Sequence, residues 1–248
     1  MHHIKNFVLN HLKKIGLSRG DHILLYSKIS SFGFPEKKAH KIILKTIIEF
    51  LGLNGTLIMP SYTFGKKKIF YLKKLSINHS TGILVKEFFK DKKILRSLRP
   101  IHSHIGIGKK SNILKKQKNF NSFGYNSDFD LLTKENFKCV FLGCSPNEGG
   151  TYFHHLEYLN NVPYRKQIVL KRQIFLNGKK KIIKIRYFDK PEYIKFDFDK
   201  AFKNIIKIGA KVKKSKLKYG SSSCIKLKDF FKYGDKLFKK NKNCLLKK

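Results

Sequence analysis

A chain of 248 residues with 41% hydrophobic residues, 22 Phe and 11 Tyr has apolar mass enough for one large α/β domain or two small ones. Its 55 basic against 16 acidic residues give a net charge of +39, which directs attention to nucleic acid, an anionic membrane surface or anionic small ligands. No run of about 18 uncharged apolar residues is present, so no membrane-spanning helix is expected.

In chain order, Ile4, Phe7, Val8, Leu12 and Ile15 fall at helical spacing, so residues 3–15 read as an amphipathic helix ended by Gly16. Residues 21–26 read as a short apolar strand and 27–35 as a small-residue loop. A second helix is predicted over 36–51, with Ala39, Ile43, Ile47 and Leu51 on one face and Gly52 past its end. Residues 55–59 form the next strand, stopped by Pro60. Such a strand–loop–helix–strand unit implies parallel pairing with a right-handed crossover. Residues 61–80 read as irregular and basic, 81–90 as helix, 97–108 as a strand with its approach loop, 109–122 as polar and mobile, and 127–134 as a short helix. A buried strand over 138–144 is broken by the loop 145–150. Beyond Pro163, the segments 167–176 and 181–188 flank Asn177-Gly178, a strong hairpin signal. Residues 196–208 read as helix, 211–217 as strand, 226–238 as helix and 241–248 as a frayed tail. With no repeat and no long linker, one α/β domain over 1–248 is expected. Its central sheet should be mixed and mostly parallel, flanked by helices, with an added β-hairpin in the C-terminal half. Residues 1–162 then carry the motifs, and 163–248 the hairpin and C-terminal helices.

The charge is not of the kind that reads bases and phosphates. Only six basic residues are Arg (Arg19, Arg96, Arg99, Arg165, Arg172 and Arg186), and guanidinium is the better group for that task. The lysines are scattered over the whole chain, and Lys, Ile, Asn and Phe are all abundant, as AT-rich coding produces. A specific nucleic-acid surface is therefore not expected, although a basic nucleic-acid-binding protein, or a non-catalytic protein that only binds a partner, stays as the rival reading. The field still favours anionic ligands within a screening length of about 10 Å. The N-terminal residues lack an apolar run before a small-residue cleavage site, so no signal peptide is expected. The cysteines Cys139, Cys144, Cys224 and Cys244 lack Cys-x-x-Cys spacing and read as free thiols of a cytoplasmic protein.

The chemistry concentrates in Gly149-Gly150-Thr151-Tyr152-Phe153-His154-His155-Leu156-Glu157. Thr151 reads as a helix N-cap. His154 and Glu157, three residues apart, then share one helix face just past a strand end. A carboxylate there can orient an imidazole that works as a base; His155 points elsewhere and reads as structural. The loop Ser27-Lys28-Ile29-Ser30-Ser31, between a strand and a helix, can receive a phosphate on backbone N–H groups, with Lys28 adding charge. His102-x-His104 puts two imidazoles on one strand face, and a metal reading would join them to His154 and Glu157. That reading is set aside, and no metal is expected. Cys144 beside His154 raises an acyl-cysteine route, against the plainer reading of a small apolar residue at a strand end.

Five stretches in this order resemble the aminoglycoside 3-N-acetyltransferase family of antibiotic acetyltransferases. They are Gly20-Asp21-His22-Ile23-Leu24-Leu25-Tyr26-Ser27-Lys28-Ile29-Ser30-Ser31-Phe32-Gly33, Gly55-Thr56-Leu57-Ile58-Met59-Pro60-Ser61-Tyr62-Thr63, Arg96-Ser97-Leu98-Arg99-Pro100-Ile101-His102-Ser103, Phe123-Gly124-Tyr125-Asn126-Ser127, and Leu142-Gly143 through Thr151 to Glu157. The chain has Tyr26-Ser27-Lys28 where the family usually has His-Ser-Ser, Arg99 where it often has His, and Gly150 where it commonly has Asn. The resemblance implies the family's own α/β fold and direct acetyl transfer from acetyl-CoA to an amine. It implies His154 as general base with Glu157 as partner. Ser27, Ile29, Ser30 and Ser31 would line the loop that holds the CoA pyrophosphate, and Ser103 would lie near the thioester. The expected acceptor is a primary amine on a sugar-like molecule, in drug resistance or in amino-sugar metabolism. A polycationic drug wants acidic pocket residues, and only Glu148, Glu157, Asp128 and Asp130 lie near the motifs. A neutral or anionic amino sugar fits the charge better. A homodimer is left open.

Overall fold

The computed structural model describes residues 2–64, 69–75, 81–116, 119–176 and 178–247. In chain order its elements are α1 (His2–Lys14), β1 (His22–Ser27), α2 (Ala39–Leu51), β2 (Thr56–Pro60), β3 (Phe70–Tyr71), α3 (Gly82–Phe88), β4 (Leu95–Arg96), β5 (His104–Gly108), α4 (Asp128–Lys134), β6 (Lys138–Leu142), α5 (Pro146–Gly149), α6 (Tyr152–Leu159), β7 (Lys166–Leu176), β8 (Lys179–Asp189), α7 (Phe198–Lys207), β9 (Val212–Leu217), β10 (Gly220–Lys226) and α8 (Leu227–Lys240).

β1 is the axis of the fold. Its four central residues are all buried, and its side chains alternate between two cores, as the two-residue period of a strand requires. Ile23 and Leu25 join Leu57, Met59, Val140 and Leu142 under α1, α2 and α3. Leu24 and Tyr26 join Ile58, Cys139 and Phe141 under α4, α6, α7 and α8. Each fully buried aliphatic or Phe side chain contributes about 1.5–3 kcal/mol, so helices on both faces are needed to close the sheet.

The sheet runs β4-β5-β2-β1-β6-β10-β9. β1 pairs in parallel with β2 and with β6, as the strand–loop–helix–strand reading expects. Parallel pairing stops there: β5 joins β2, β4 joins β5, β10 joins β6 and β9 joins β10, all antiparallel. The mixed sheet is thus parallel at its centre and antiparallel at both flanks, less parallel than the sequence suggests. The C-terminal hairpin is present, with β7 and β8 eleven residues each and a short parallel β3 at its edge. Asn177 of the expected Asn-Gly turn lies outside the described residues.

Three other expectations are corrected, and one strand is added. β10 lies between the predicted strand 211–217 and helix 226–238; Gly220-Ser221-Ser222-Ser223 has no strand-like apolar pattern, yet Ser222 and Ser223 are buried in the sheet. Within 109–122, read as polar and mobile, residues Ser111–Lys115 form a 3-10 turn that buries Ile113 and Leu114. The loop 145–150 contains the short helix α5, where the Glu148 carboxylate accepts from the Ser145 amide at 2.9 Å. The C-terminal segment is anchored rather than frayed. Leu245 is fully buried, its carbonyl accepts from the Asp197 amide at 2.8 Å, and Leu246 bridges Phe196.

Candidate active site

The central parallel strands end at one edge of the sheet, where ligands of α/β folds bind. β6 delivers the chain there and β1 delivers Ser27. Between β6 and α6 the chain must turn in little space. A Cβ on Gly150 would come within 2.4 Å of the Pro146 carbonyl oxygen, and one on Gly149 within 2.7 Å of the Tyr26 Cβ. Both positions therefore take glycine in this chain. Thr151 is itself helical and its side chain makes no capping bond, so the N-cap expectation fails. The helix nevertheless starts at Tyr152 and brings His154 and Glu157 together as the spacing predicts.

His154 Nδ1 lies 2.6 Å from Glu157 Oε2. The Glu157 side chain is fully buried and that of His154 is 22% exposed. A third group completes the arrangement. Arg165 Nη2 is 2.8 Å from the same Oε2 and 2.8 Å from His154 Nδ1. Nη1 of Arg165 donates to the Phe188 carbonyl at 2.9 Å, and its guanidinium stands over the rings of Phe188 and Phe196. Burial opposes ionisation of Glu157, but His154 and Arg165 outweigh it and hold the carboxyl below its usual range. A 2.6 Å contact between nitrogen and carboxylate oxygen needs a proton between them. Nδ1 therefore carries the hydrogen and donates it to Glu157. No described side chain bonds Nε2, and the ring lies among Phe123, Phe196 and Phe198.

The other predicted residues divide. Ser27 and Lys28 line a cavity of about 190 Å³ with Tyr26, Met59, Pro60, Thr81, Val85, Cys144 and Glu148. Lys28 Nζ reaches Glu148 Oε1 at 2.6 Å across its mouth. Ile29 to Phe32 form a 3-10 turn on which Ser30 is exposed. Ser31 points inward, its buried hydroxyl donating to the Gly143 carbonyl at 2.5 Å. Ser103 is fully buried; its hydroxyl donates to the Ser61 carbonyl at 2.7 Å and accepts from Arg96 Nε at 3.1 Å. Ser31 and Ser103 therefore build walls and do not face open space.

The two imidazoles of the His-x-His pair both pack against the Tyr62 ring but have different further partners. His104, in β5, contacts Asp128 Oδ2 at 2.9 Å. His102, in the turn before β5, packs among Tyr62, Phe64 and Phe123, and burial with its neighbours His154 and His104 pushes it far below its usual range. Among the described residues no three ligating groups come together. His155 is buried, accepts from the Gly124 amide at 3.2 Å, and is lowered to about 4 by burial. Burial and then Glu148 raise the Cys144 thiol to about 12, which leaves it protonated and a poor nucleophile.

Arg99 is entirely buried. Its Nε donates to Asp128 Oδ1 at 3.0 Å, its Nη1 to the carbonyls of Asn119 and Asn121, and its Nη2 to that of Asn126. It anchors the segment that carries Phe123 against His154. Arg165 and Arg99 were both missed as site builders. A signal existed: in a chain whose cations are nearly all Lys, four of the six Arg (Arg96, Arg99, Arg165 and Arg172) have buried side chains.

Comparison with known proteins agrees with this fold. A family model described as aminoglycoside 3-N-acetyltransferase matches residues 24–239. No curated protein sequence matches the chain. Among solved structures, the YokD protein from Bacillus subtilis is 21% identical, with 96% of this chain and 99% of that chain covered and a TM-score of 0.80. AAC-IIIb, solved as a binary complex with CoASH, is 16% identical over 95% of this chain and 96% of that chain, TM-score 0.84. AAC-VIa bound to sisomicin is 15% identical over 94% of this chain and 96% of that chain, TM-score 0.78. With the family model spanning most of its length, the chain belongs to the aminoglycoside 3-N-acetyltransferase family and is an acyltransferase.

Proposed function

We propose that this protein transfers an acetyl group directly from acetyl-CoA to a primary amine of an amino-sugar-type acceptor, with His154 as general base and Glu157 as its partner. One observation carries the reading: Nδ1 of His154 is committed to a buried carboxylate while Nε2 is bare and the ring is part-exposed. An amine is protonated in water and must lose a proton to attack. A neutral imidazole suits that step and contributes about 10²–10⁴-fold. In the proposed step the amine nitrogen bonds to the thioester carbonyl carbon and Nε2 takes the amine proton. The C–S bond then breaks, and the imidazolium returns the proton to the departing sulfur. Holding amine and thioester together supplies most of the remaining rate. The high pKa of the Cys144 thiol speaks for direct transfer over an acyl-cysteine.

The donor is placed at the cavity beside β1 and β2. There Ser27 and Lys28 line the cavity, Lys28 brings a cation to the CoA pyrophosphate, and Ile29 and Ser30 open the adjoining turn with their backbone amides, with Ser31 and Ser103 buried behind. The acceptor is a neutral or anionic amino sugar. The four acids near the motifs are all engaged: Glu148 with Lys28, Glu157 with Arg165, Asp128 with Arg99 and His104, and Asp130 with Lys134. None is left over to attract a polycation.

A thioester-consumption assay with acetyl-CoA against a panel of amines tests this reading. Turnover with nucleotide-linked or other anionic amino sugars is expected, with loss of about 10²-fold or more in His154→Ala and CoA binding by calorimetry retained. Full turnover in His154→Ala removes the base, and a clear preference for kanamycin-type amines overturns the acceptor class.

A further inference from the structure

His154, Glu157 and Arg165 place two charges and one mobile proton inside one small volume. The two contacts to Nδ1 make opposite demands. If Nδ1 were bare it could accept from Arg165 at 2.8 Å, but its lone pair would then face the carboxylate oxygen at 2.6 Å. If Nδ1 is protonated it donates to Glu157, and Arg165 becomes the second donor to that same oxygen. Only the second arrangement leaves no lone pairs in collision.

We infer that Arg165 is a positioning residue for the acyl-transfer step: by neutralising Glu157 it fixes the Nδ1-protonated tautomer of His154, and its charge beside the ring makes the imidazolium release its proton to the departing thiolate. This rests on the reading of His154 as base. The charge arithmetic gives the sign. With Arg165, the three groups sum to zero at rest and to +1 after Nε2 takes a proton. Without it, they would sum to −1 and then to zero. In a site with Glu157 fully buried, the first change is the harder one. Arg165 therefore trades base strength for easy proton return, which a base that must give its proton back in the same turnover needs.

Arg165 is also held rigidly enough for the task. Its side chain is 6% exposed, tied to the Phe188 carbonyl and covered by two Phe rings. The other titratable groups around the dyad keep a constant charge near neutrality. His102 is pushed far down by burial, Tyr164 and Tyr187 are pushed up by burial, and so is the Cys244 thiol, to about 12. Lys190, over the Phe196 ring, bonds the carbonyls of Pro191 and Ile194. A change in the pH profile on altering Arg165 is thus assignable to the dyad.

The test compares wild type with Arg165→Met and Arg165→Lys in kcat/KM against pH, with 15N NMR of the His154 ring. Wild type is expected to show Nδ1 protonated and Nε2 bare at neutral pH. In Arg165→Met the acid limb of the profile moves up by about one pH unit, so activity falls by up to about tenfold on that limb and recovers at higher pH, where the two profiles meet. Arg165→Lys keeps the charge and returns the limb towards its wild-type position. A wild-type ring protonated on Nε2 overturns the inference without any variant, so a poorly folded Arg165→Met leaves it testable. An Arg165→Met enzyme with reduced amplitude but the wild-type profile shows a purely structural residue and also overturns it. Turnover in His154→Ala would remove the base and this role together. An inactive His154→Ala beside an Arg165→Met with unchanged profile would remove this role alone.

Discussion

Two strand ends face the same edge of the sheet and use charge in opposite ways. After β6, the carboxylate of Glu157 and the guanidinium of Arg165 have side chains 0% and 6% exposed. At the end of β1, Lys28 pairs with Glu148 of α5, and these side chains are 52% and 42% exposed. The first pair cannot exchange its partners for water, so it fixes the geometry and protonation of whatever touches it. The second can, so it adapts, and salt screens it. A side chain that must hold one direction belongs in the first setting, and a contact that opens and closes belongs in the second.

The comparison breaks most visibly if the buried charges are disturbed. Arg99→Met leaves Asp128 buried with only His104 and Ser97, and frees the carbonyls of Asn119, Asn121 and Asn126. Removing one partner of a buried pair costs about 3–5 kcal/mol, read as a lower urea midpoint. Acetyl transfer should fall with it, because Phe123 loses its anchor beside His154. A midpoint within error of wild type would show that this segment is held by other means.

Acid should find the same buried groups. Burial opposes ionisation of Asp128 and Glu157, but His104 and Arg99 in one case and His154 and Arg165 in the other hold both carboxyls below their ordinary range. A depressed folded value gives stability that is present above the unfolded carboxyl pKa of about 4 and lost as pH falls through the folded value. The urea midpoint should drop steeply below about pH 4, and Asp128→Asn should start lower and flatten that drop. Equal slopes in the two proteins would remove Asp128 from the acid response.

Much of this division was legible and the rest was not, for physical reasons. The His154–Glu157 contact is local: three residues on a helix must share a face, so spacing alone predicts it. The parallel centre was legible because β1 and β2 carry apolar runs around a helix. Arg165 was not legible, because its contact runs across the turn between α6 and β7, where Asn161 takes a left-handed φ of +46°. Ser31 was read as a phosphate contact because a serine looks the same whether its hydroxyl meets a ligand or a backbone carbonyl. β10 hid behind serines that earn burial by bonding: the Gly143 amide donates to Ser222 Oγ at 2.9 Å, and Ser222 meets His11 Nε2 at 2.8 Å. Arg99 stood out only as a departure from the resembled family's pattern, and nothing in its neighbours along the chain shows that it ties down Asn119, Asn121 and Asn126.

Ser31 and Ser30 sharpen the contrast within one turn. Ser31→Ala removes a buried hydroxyl donor and leaves the Gly143 carbonyl short of a partner, a loss of about 1–2 kcal/mol. Ser30→Ala, at an exposed position, should leave the urea midpoint unchanged and weaken CoA binding measured by calorimetry. If the two variants behave alike in both assays, the turn does not divide into a wall and a ligand-facing side.

Lys28→Ala should have the smallest effect on the fold and the most informative dependence on salt. Both members of its pair are surface groups, so solvent already screens them and stability should not change measurably. The cation also stands at the mouth of the cavity assigned to the donor. A pyrophosphate arriving there competes with Glu148 for Lys28, so the contribution of Lys28 to acetyl-CoA KM is a difference between two screened contacts. A rise of a few-fold in KM at low ionic strength is expected, shrinking as salt approaches the range where the Debye length is about 8 Å, with kcat unchanged. If KM rises equally at all salt concentrations, Lys28 acts through the shape of the loop; if kcat falls instead, this contact and the base are coupled, and the separation drawn between the two strand ends does not hold.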